Sequence, residues 1–177
     1  MHHQPQVAVI TPTGMHGDRR RYLGELYDSL TAQDIAWEWI IAPNGRRADP
    51  DRLPAAIAAD PRVTVCARPD PGAAPARNTS LNYVTAPYVC YADDDDLLPP
   101  ASLSVRHHRA QSAGLGWVAG HSADLKEDGR LQTWECAAPT GLLDAGDVWT
   151  HWPSPHVGKP PVGHTMLLTR TEIARAY

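Results

Sequence analysis

Residues 88–100, YVCYADDDDLLPP, decide how this chain is to be read. An apolar, strand-like run passes without interruption into four carboxylates, Asp93, Asp94, Asp95 and Asp96, and then into a proline pair ahead of a helical segment. Adjacent carboxylates repel one another, so such a cluster persists only if it is solvated, capped or neutralised by a cation. Oxygen-only donors of this hardness suit Mg2+ or Mn2+. The plainer alternative is a solvated acidic turn in which Asp96 caps the next helix. Position favours the first reading, because ligands of open α/β sheets bind outside the C-terminal ends of strands. A calcium loop of the EF-hand type is excluded, since the run lacks Gly at its sixth position and Glu at its twelfth. Alternation along an extended end places Asp93 and Asp95 on one face, with Asp94 turned to the other.

Working outward, QVAVIT (6–11), WEWIIA (37–42) and RVTVCA (62–67) join YVCYA (88–92) as short apolar runs continuous enough to be strands buried on both faces. Tyr22, Leu23, Leu26, Tyr27 and Leu30 recur at helical spacing, behind Arg19, Arg20 and Arg21, whose charges oppose the dipole at a helix start. Further helices are expected at 51–59, at 75–84 with Pro75 in the first turn, and at 99–113. This β-α-β-α-β-α-β order predicts an α/β fold, a doubly wound and mostly parallel sheet with right-handed crossovers. The pattern then changes. GWVAGHSADL (116–125) and LQTWECA (131–137), joined through Asp128-Gly129, read as an antiparallel pair. A Pro-rich loop at 151–164 precedes a last strand at about 165–169 and a helix start.

With 177 residues, 42% of them hydrophobic, no internal repeat and no linker, one domain is expected. A net charge of -4 and the lack of Lys/Arg blocks argue against nucleic acid as a partner. Three scattered cysteines, Cys66, Cys90 and Cys136, form neither a disulfide framework nor a zinc motif and suggest a reducing compartment. No signal peptide and no run of about 18 apolar residues is present, so a cytoplasmic protein without a transmembrane segment is expected.

Taken together, VAVITPT (7–13), WEWIIAPNG (37–45) and PGAAPARNTSLNYVTAPYVCYADDDDLLPP (71–100) resemble family 2 of the glycosyltransferases, which have the Rossmann-like GT-A fold. The third segment is similar to the family's Ala-Arg-Asn helix, strand and DxD motif. The resemblance runs over nearly the whole chain. It implies a single GT-A domain over 1–177, with a nucleotide-sugar-binding half at 1–100 and an apparently truncated acceptor half at 101–177. It implies that Pro12 and Thr13 line the base, that Arg77 and Asp93 approach the nucleotide, and that Asp95 ligates Mn2+ or Mg2+. Asp94 and Asn44 complete the expected nucleotide set. The activity implied is metal-dependent, inverting transfer of a sugar from a nucleotide diphosphate, with UDP-sugars favoured, to a hydroxyl or amine acceptor. Here one carboxylate meets a sugar hydroxyl while the metal and Arg neutralise the leaving diphosphate.

The chain departs from the family pattern in several places. Gly14-Met15 replaces a frequent Tyr-Asn, and Pro43-Asn44 stands where an acidic residue usually meets the base. Asn44 can read a base edge, or Asn44-Gly45 can be a simple turn. Arg77, placed by this reading in the first turn of its helix, is either an anion ligand or an ordinary surface arginine. Asn78 is assigned to the local backbone. His107 and His108 are expected to face solvent. His164, just before the last strand, is the candidate to complete the metal shell, its alternative being a loop hydrogen bond. Trp149 and Trp152 stack on a sugar or are buried under the Pro-rich loop, which also carries His151 and His156. No catalytic base is assigned, because Asp144, Asp147 and Glu172 do not match the family's acidic motif and the chain stops at Tyr177. The alternatives are a sugar-phosphate nucleotidyltransferase, whose Gly-rich opening loop is poorly matched by TPTGMHGDRRR (11–21), and a non-catalytic nucleotide-sugar-binding module.

Overall fold

Seven consecutive buried residues, Val7–Thr13, form the central strand β1. The computed structural model describes residues 4–67, 71–133, 141 and 164–176. β2 (Trp37–Pro43), β3 (Val63–Val65) and β4 (Tyr88–Tyr91) run parallel to β1. β8 (Leu167–Arg170) lies antiparallel between β4 and β5 (Trp117–Ala119), giving the order β3-β2-β1-β4-β8-β5. A separate hairpin pairs β6 (Ala123–Leu125) with β7 (Leu131–Thr133) around Gly129. The expected mixed fold is therefore present, with one refinement: GWVAGHSADL divides, its first half extending the main sheet and its second half forming the hairpin.

Because successive strand residues point to opposite faces, β1 serves two cores. Val7 and Val9 pack with Leu23, Leu26 and Leu30 of α1 (Arg19–Thr31) and Leu103 of α4 (Ser102–Ser112). Ala8 and Ile10 pack with Ala76 of α3 (Ala73–Ser80) and with Leu81, Val84 and Val89. β3 departs from the both-faces-buried expectation: as the edge strand it exposes Thr64 and only half-buries Val63 and Val65.

The helix expected at 51–59 is two pieces, a 3-10 turn Pro50–Arg52 and the short α2 (Ala55–Ala58). Pro54 is the reason, since the residue before a proline is pushed out of helical geometry, and Leu53 has ψ 143. α3 begins two residues earlier than expected, at Ala73, and passes into a 3-10 turn at Leu81–Tyr83. α4 begins later, after Ala101 adopts the left-handed conformation (φ 59). α5 (Thr171–Ala176) follows β8. His107 does not face solvent: the row Leu103, His107 and Ala110 faces the sheet, and the imidazole meets the Tyr88 ring edge-on at 5.0 Å. His108 is exposed as expected.

One amide fixes the carboxylate loop to its surroundings. Gln33, buried just past α1, donates from Nε2 to the carbonyls of Ser29 (3.0 Å), Pro99 (3.0 Å) and Leu98 (3.3 Å), and its Oε1 accepts from Leu103 N–H (3.1 Å). α4 has no capping side chain of its own at Ala101, so Gln33, from the segment just past α1, satisfies one of its orphan N–H groups. Gln33→Ala is expected to lower stability by about 2 kcal/mol by leaving that buried group unpaired, a loss measurable by urea unfolding.

Candidate functional site

Parallel pairing brings the C-terminal ends of β1, β2 and β4 to one edge of the sheet, where Thr13, Asn44 and the carboxylate run meet. β4 stays paired with β1 one residue past its end, through Ala92 N–H to Ile10 O at 3.1 Å. The chain then turns, with Asp96 N–H donating to Asp93 O at 3.0 Å. This turn ends the strict alternation expected for Asp93, Asp94 and Asp95.

Asp94 points into the protein, its side chain 3% exposed, while the Asp95 side chain is 51% exposed. Thr13 Oγ1 donates to Asp94 Oδ2 at 2.5 Å and accepts from Met15 N–H at 3.1 Å. Arg19, the first residue of α1, donates to Asp94 Oδ1 and also reaches Asp95 Oδ2 at 3.3 Å. The hydrogen bond and charge of Asp94 push the Arg19 pKa up, so this guanidinium holds its proton even more firmly than usual. Asp93 belongs to the other side of the sheet edge, where Arg77 of α3 donates to it at 2.6 Å while lying 6.0 Å over the Tyr91 ring. Asp96 is not a helix cap. Its carboxylate turns back to accept from Asp93 N–H at 2.8 Å, because α4 starts only at Ser102.

The start of α3 also corrects the place of Arg77. Gly72 holds the N-cap with φ 128, a conformation side chains other than hydrogen rarely adopt, and a Cβ there would sit 3.2 Å from Pro75 Cδ. The helix therefore opens at Ala73, and Arg77 falls in its last turn, away from the free N–H groups of the helix start. Asn44 binds this corner together: its N–H donates to Thr13 O at 2.8 Å and its Oδ1 accepts from Gly72 N–H at 3.0 Å. Ala48 N–H to Gly45 O, at 3.3 Å, completes a turn after β2. Pro12 and Thr13 are buried beneath the same edge.

His164 opens the 3-10 turn His164–Met166 ahead of β8. Since β8 is antiparallel to β4, that turn lies at the carboxylate end of β4; the His164 side chain lies outside the described residues, as do Trp149, Trp152, His151, His156, Asp144 and Asp147. Among the described residues no group of three or more His, Cys, Asp or Glu side chains converges into a metal cage. Arg19 is not among the site residues expected from the sequence. The signal was available: three arginines at a helix start oppose the macrodipole and call for an acidic partner from elsewhere.

Residues 9–143 match the family profile described as Glycosyl transferase family 2, well over half of the chain. The chain belongs to that family. The structure of residues 1–349 of TarS from S. aureus superposes on this family 2 chain with a TM-score of 0.62 and 17% identity, covering 97% of this chain and 48% of that one. The same TarS fragment in complex with UDP-GlcNAc gives 0.60 and 18%, covering 97% and 47%. The mannosyltransferase PcManGT from Pyrobaculum calidifontis, in complex with GDP-Man and Mn2+, gives 0.54 and 24%, covering 66% and 35%. At these identities the likeness establishes the fold, which is GT-A. This chain spans about half the length of the TarS structures. No curated protein sequence matches it. No helix among the described residues is long and apolar enough to cross a membrane.

Proposed function

We propose that this family 2 chain binds a nucleotide diphosphate sugar at the shared ends of β1, β2 and β4 and serves its transfer, with inversion, to a hydroxyl or amine acceptor. The observation that carries the reading is the convergence of Thr13, Asn44, Arg77, Asp93 and Asp95 on one sheet edge of a chain whose family is shown. Family membership also supports sugar transfer over the nucleotidyltransferase reading. UDP-GlcNAc in TarS supports a UDP-sugar as donor, with the GDP-Man of PcManGT as the rival. In this reading residues 1–100 form the donor half and 101–177 contribute to the acceptor half of a single domain. The cytoplasmic location expected from the sequence belongs to the same proposal, supported by the buried free thiols Cys66 and Cys90.

Mn2+ or Mg2+ fits these residues by donor chemistry. Both ions are commonly held by one or two carboxylates together with substrate phosphates, which needs no all-protein cage. Asp95, exposed at the turn, and His164 would hold the ion, and the guanidinium of Arg19 between Asp94 and Asp95 marks where the local field draws a cation. When bound, the ion supplies charge neutralisation for the departing diphosphate. The chain's own residues do the remaining positioning. Asp94 is held by Thr13 and so keeps the turn in place, Asp93 offers its carboxylate to a sugar or ribose hydroxyl, and Arg77 offers a second cation to the phosphates.

Thermal unfolding with UDP, GDP and ADP, each with and without Mn2+, tests the reading, because a ligand that binds only the folded state raises its melting temperature. Stabilisation by one diphosphate in the presence of Mn2+ is expected; none by any of them would discard the donor site. Arg77→Ala is expected to weaken diphosphate binding by about 1–3 kcal/mol with the fold intact. A destabilised variant whose folded fraction binds normally would make Arg77 a structural partner of Asp93 only.

A further inference from the structure

Arg19 stands where the divalent ion of the proposed donor site is needed, and we infer that it is a tethered counter-ion that holds this seat until metal binds. On this inference a divalent ion taking Asp95 displaces the guanidinium of Arg19 from that carboxylate. The inference rests on the reading of Asp95 as a metal ligand.

Its placement is otherwise unfavourable. Arg19 is the first residue of α1, where the helix dipole repels a cation, and Asp18 ahead of it makes no side-chain cap. The two carboxylates of the turn compensate. They do so unequally: the contact with Asp94 is close and has one buried partner, whereas that with Asp95 is 3.3 Å between side chains 44% and 51% exposed. An exposed pair of this kind is weak and screened, so the Asp95 arm is the one that opens. Asp94 is anchored by Thr13 and keeps hold of the guanidinium. Both contacts are made by the same Arg19 Nη1, so with Asp94 retained it is the half-exposed Asp95 side chain that turns to part the weaker one.

Two consequences follow from Coulomb repulsion between the guanidinium and a divalent ion drawn to the same carboxylate. The bare ion is bound poorly, because Arg19 competes for Asp95 and remains close after leaving it. A metal-diphosphate complex is bound better, because the phosphates bring negative charge that both cations can share.

The test is direct titration of Mn2+ alone, following the free-ion electron paramagnetic resonance signal, on the 177-residue protein and three variants. Arg19→Gln is expected to tighten Mn2+ binding about fivefold or more, from removal of one nearby positive charge. Arg19→Lys keeps the charge and should stay within about twofold of wild type, which separates loss of the charge from loss of the arginine side chain, and a melting curve on each variant confirms that it is folded. Arg20→Gln removes the neighbouring exposed charge, which makes no side-chain contact with Asp94 or Asp95 among the described residues, and should also stay within about twofold. No tightening in Arg19→Gln, or equal tightening in Arg20→Gln, overturns the inference. A parallel titration of UDP with Mn2+ keeps the two claims apart. UDP binding with unchanged Mn2+ affinity in Arg19→Gln sinks only the counter-ion role, whereas tightened Mn2+ binding without UDP binding in any variant sinks only the donor reading.

Discussion

Asp95→Asn is expected to weaken Mn2+-supported UDP binding by about 100-fold or more while leaving the melting temperature within about 2 °C of wild type. The asymmetry comes from position. The Asp95 side chain is half exposed and its partner, Arg19 at 3.3 Å, is also exposed, so the folded state gains little from the pair. The substitution keeps the shape of the side chain and removes the charge a divalent ion requires. Losing a residue that only orients a metal ligand commonly lowers metal affinity 10- to 100-fold, so losing a ligand is placed at the upper end of that range or beyond. Calorimetric titration and a melting curve on the same sample check both halves. Undiminished Mn2+-dependent affinity would remove Asp95 from the metal site.

Asp94→Ala should behave in the opposite way, with stability lowered by about 2–3 kcal/mol, or roughly 5–10 °C in a domain of this size. Asp94 is almost fully enclosed and accepts from both Thr13 and Arg19. Its removal leaves the Thr13 hydroxyl without its acceptor in a buried place, which carries a desolvation penalty. The guanidinium suffers less, because it is 44% exposed and water can replace the lost partner. Asp94→Asn, which retains an oxygen for Thr13, should lose roughly half as much. A fully stable Asp94→Ala protein would show that the turn is held by other contacts, such as Gln33 on Leu98 and Pro99.

The contrast between these two neighbouring residues marks the limit of what the sequence makes legible. The strands are readable because their apolar runs are continuous: Val7 to Thr13 and Trp39 to Pro43 are buried without a break, as a sheet covered on both faces requires. Period-two alternation is a property of extended chain, and it fails at Asp93 because the chain turns there. Asp96 resembles a helix cap on its spacing, yet the Pro99-Pro100 pair delays α4, and the carboxylate closes its own turn instead. Arg77 looks like a first-turn residue if Pro75 opens the helix, but Gly72 allows α3 to begin at Ala73. Contacts such as Gln33 to Leu103, or Arg19 to Asp94, join residues far apart in sequence through geometry that only the assembled sheet supplies. A local conflict, the three arginines opposing the α1 dipole, was the trace such a contact left in the sequence.

The central claim is that the carboxylate turn after β4 binds a nucleotide diphosphate together with a divalent ion. Calorimetric titration of UDP into the 177-residue protein, with Mn2+ and then with chelator, addresses it most directly. The account predicts one-to-one binding in Mn2+ that is largely lost on chelation and weakened about 100-fold or more in Asp95→Asn. Binding of equal strength with and without the ion, or no binding of UDP or GDP under either condition, would contradict it.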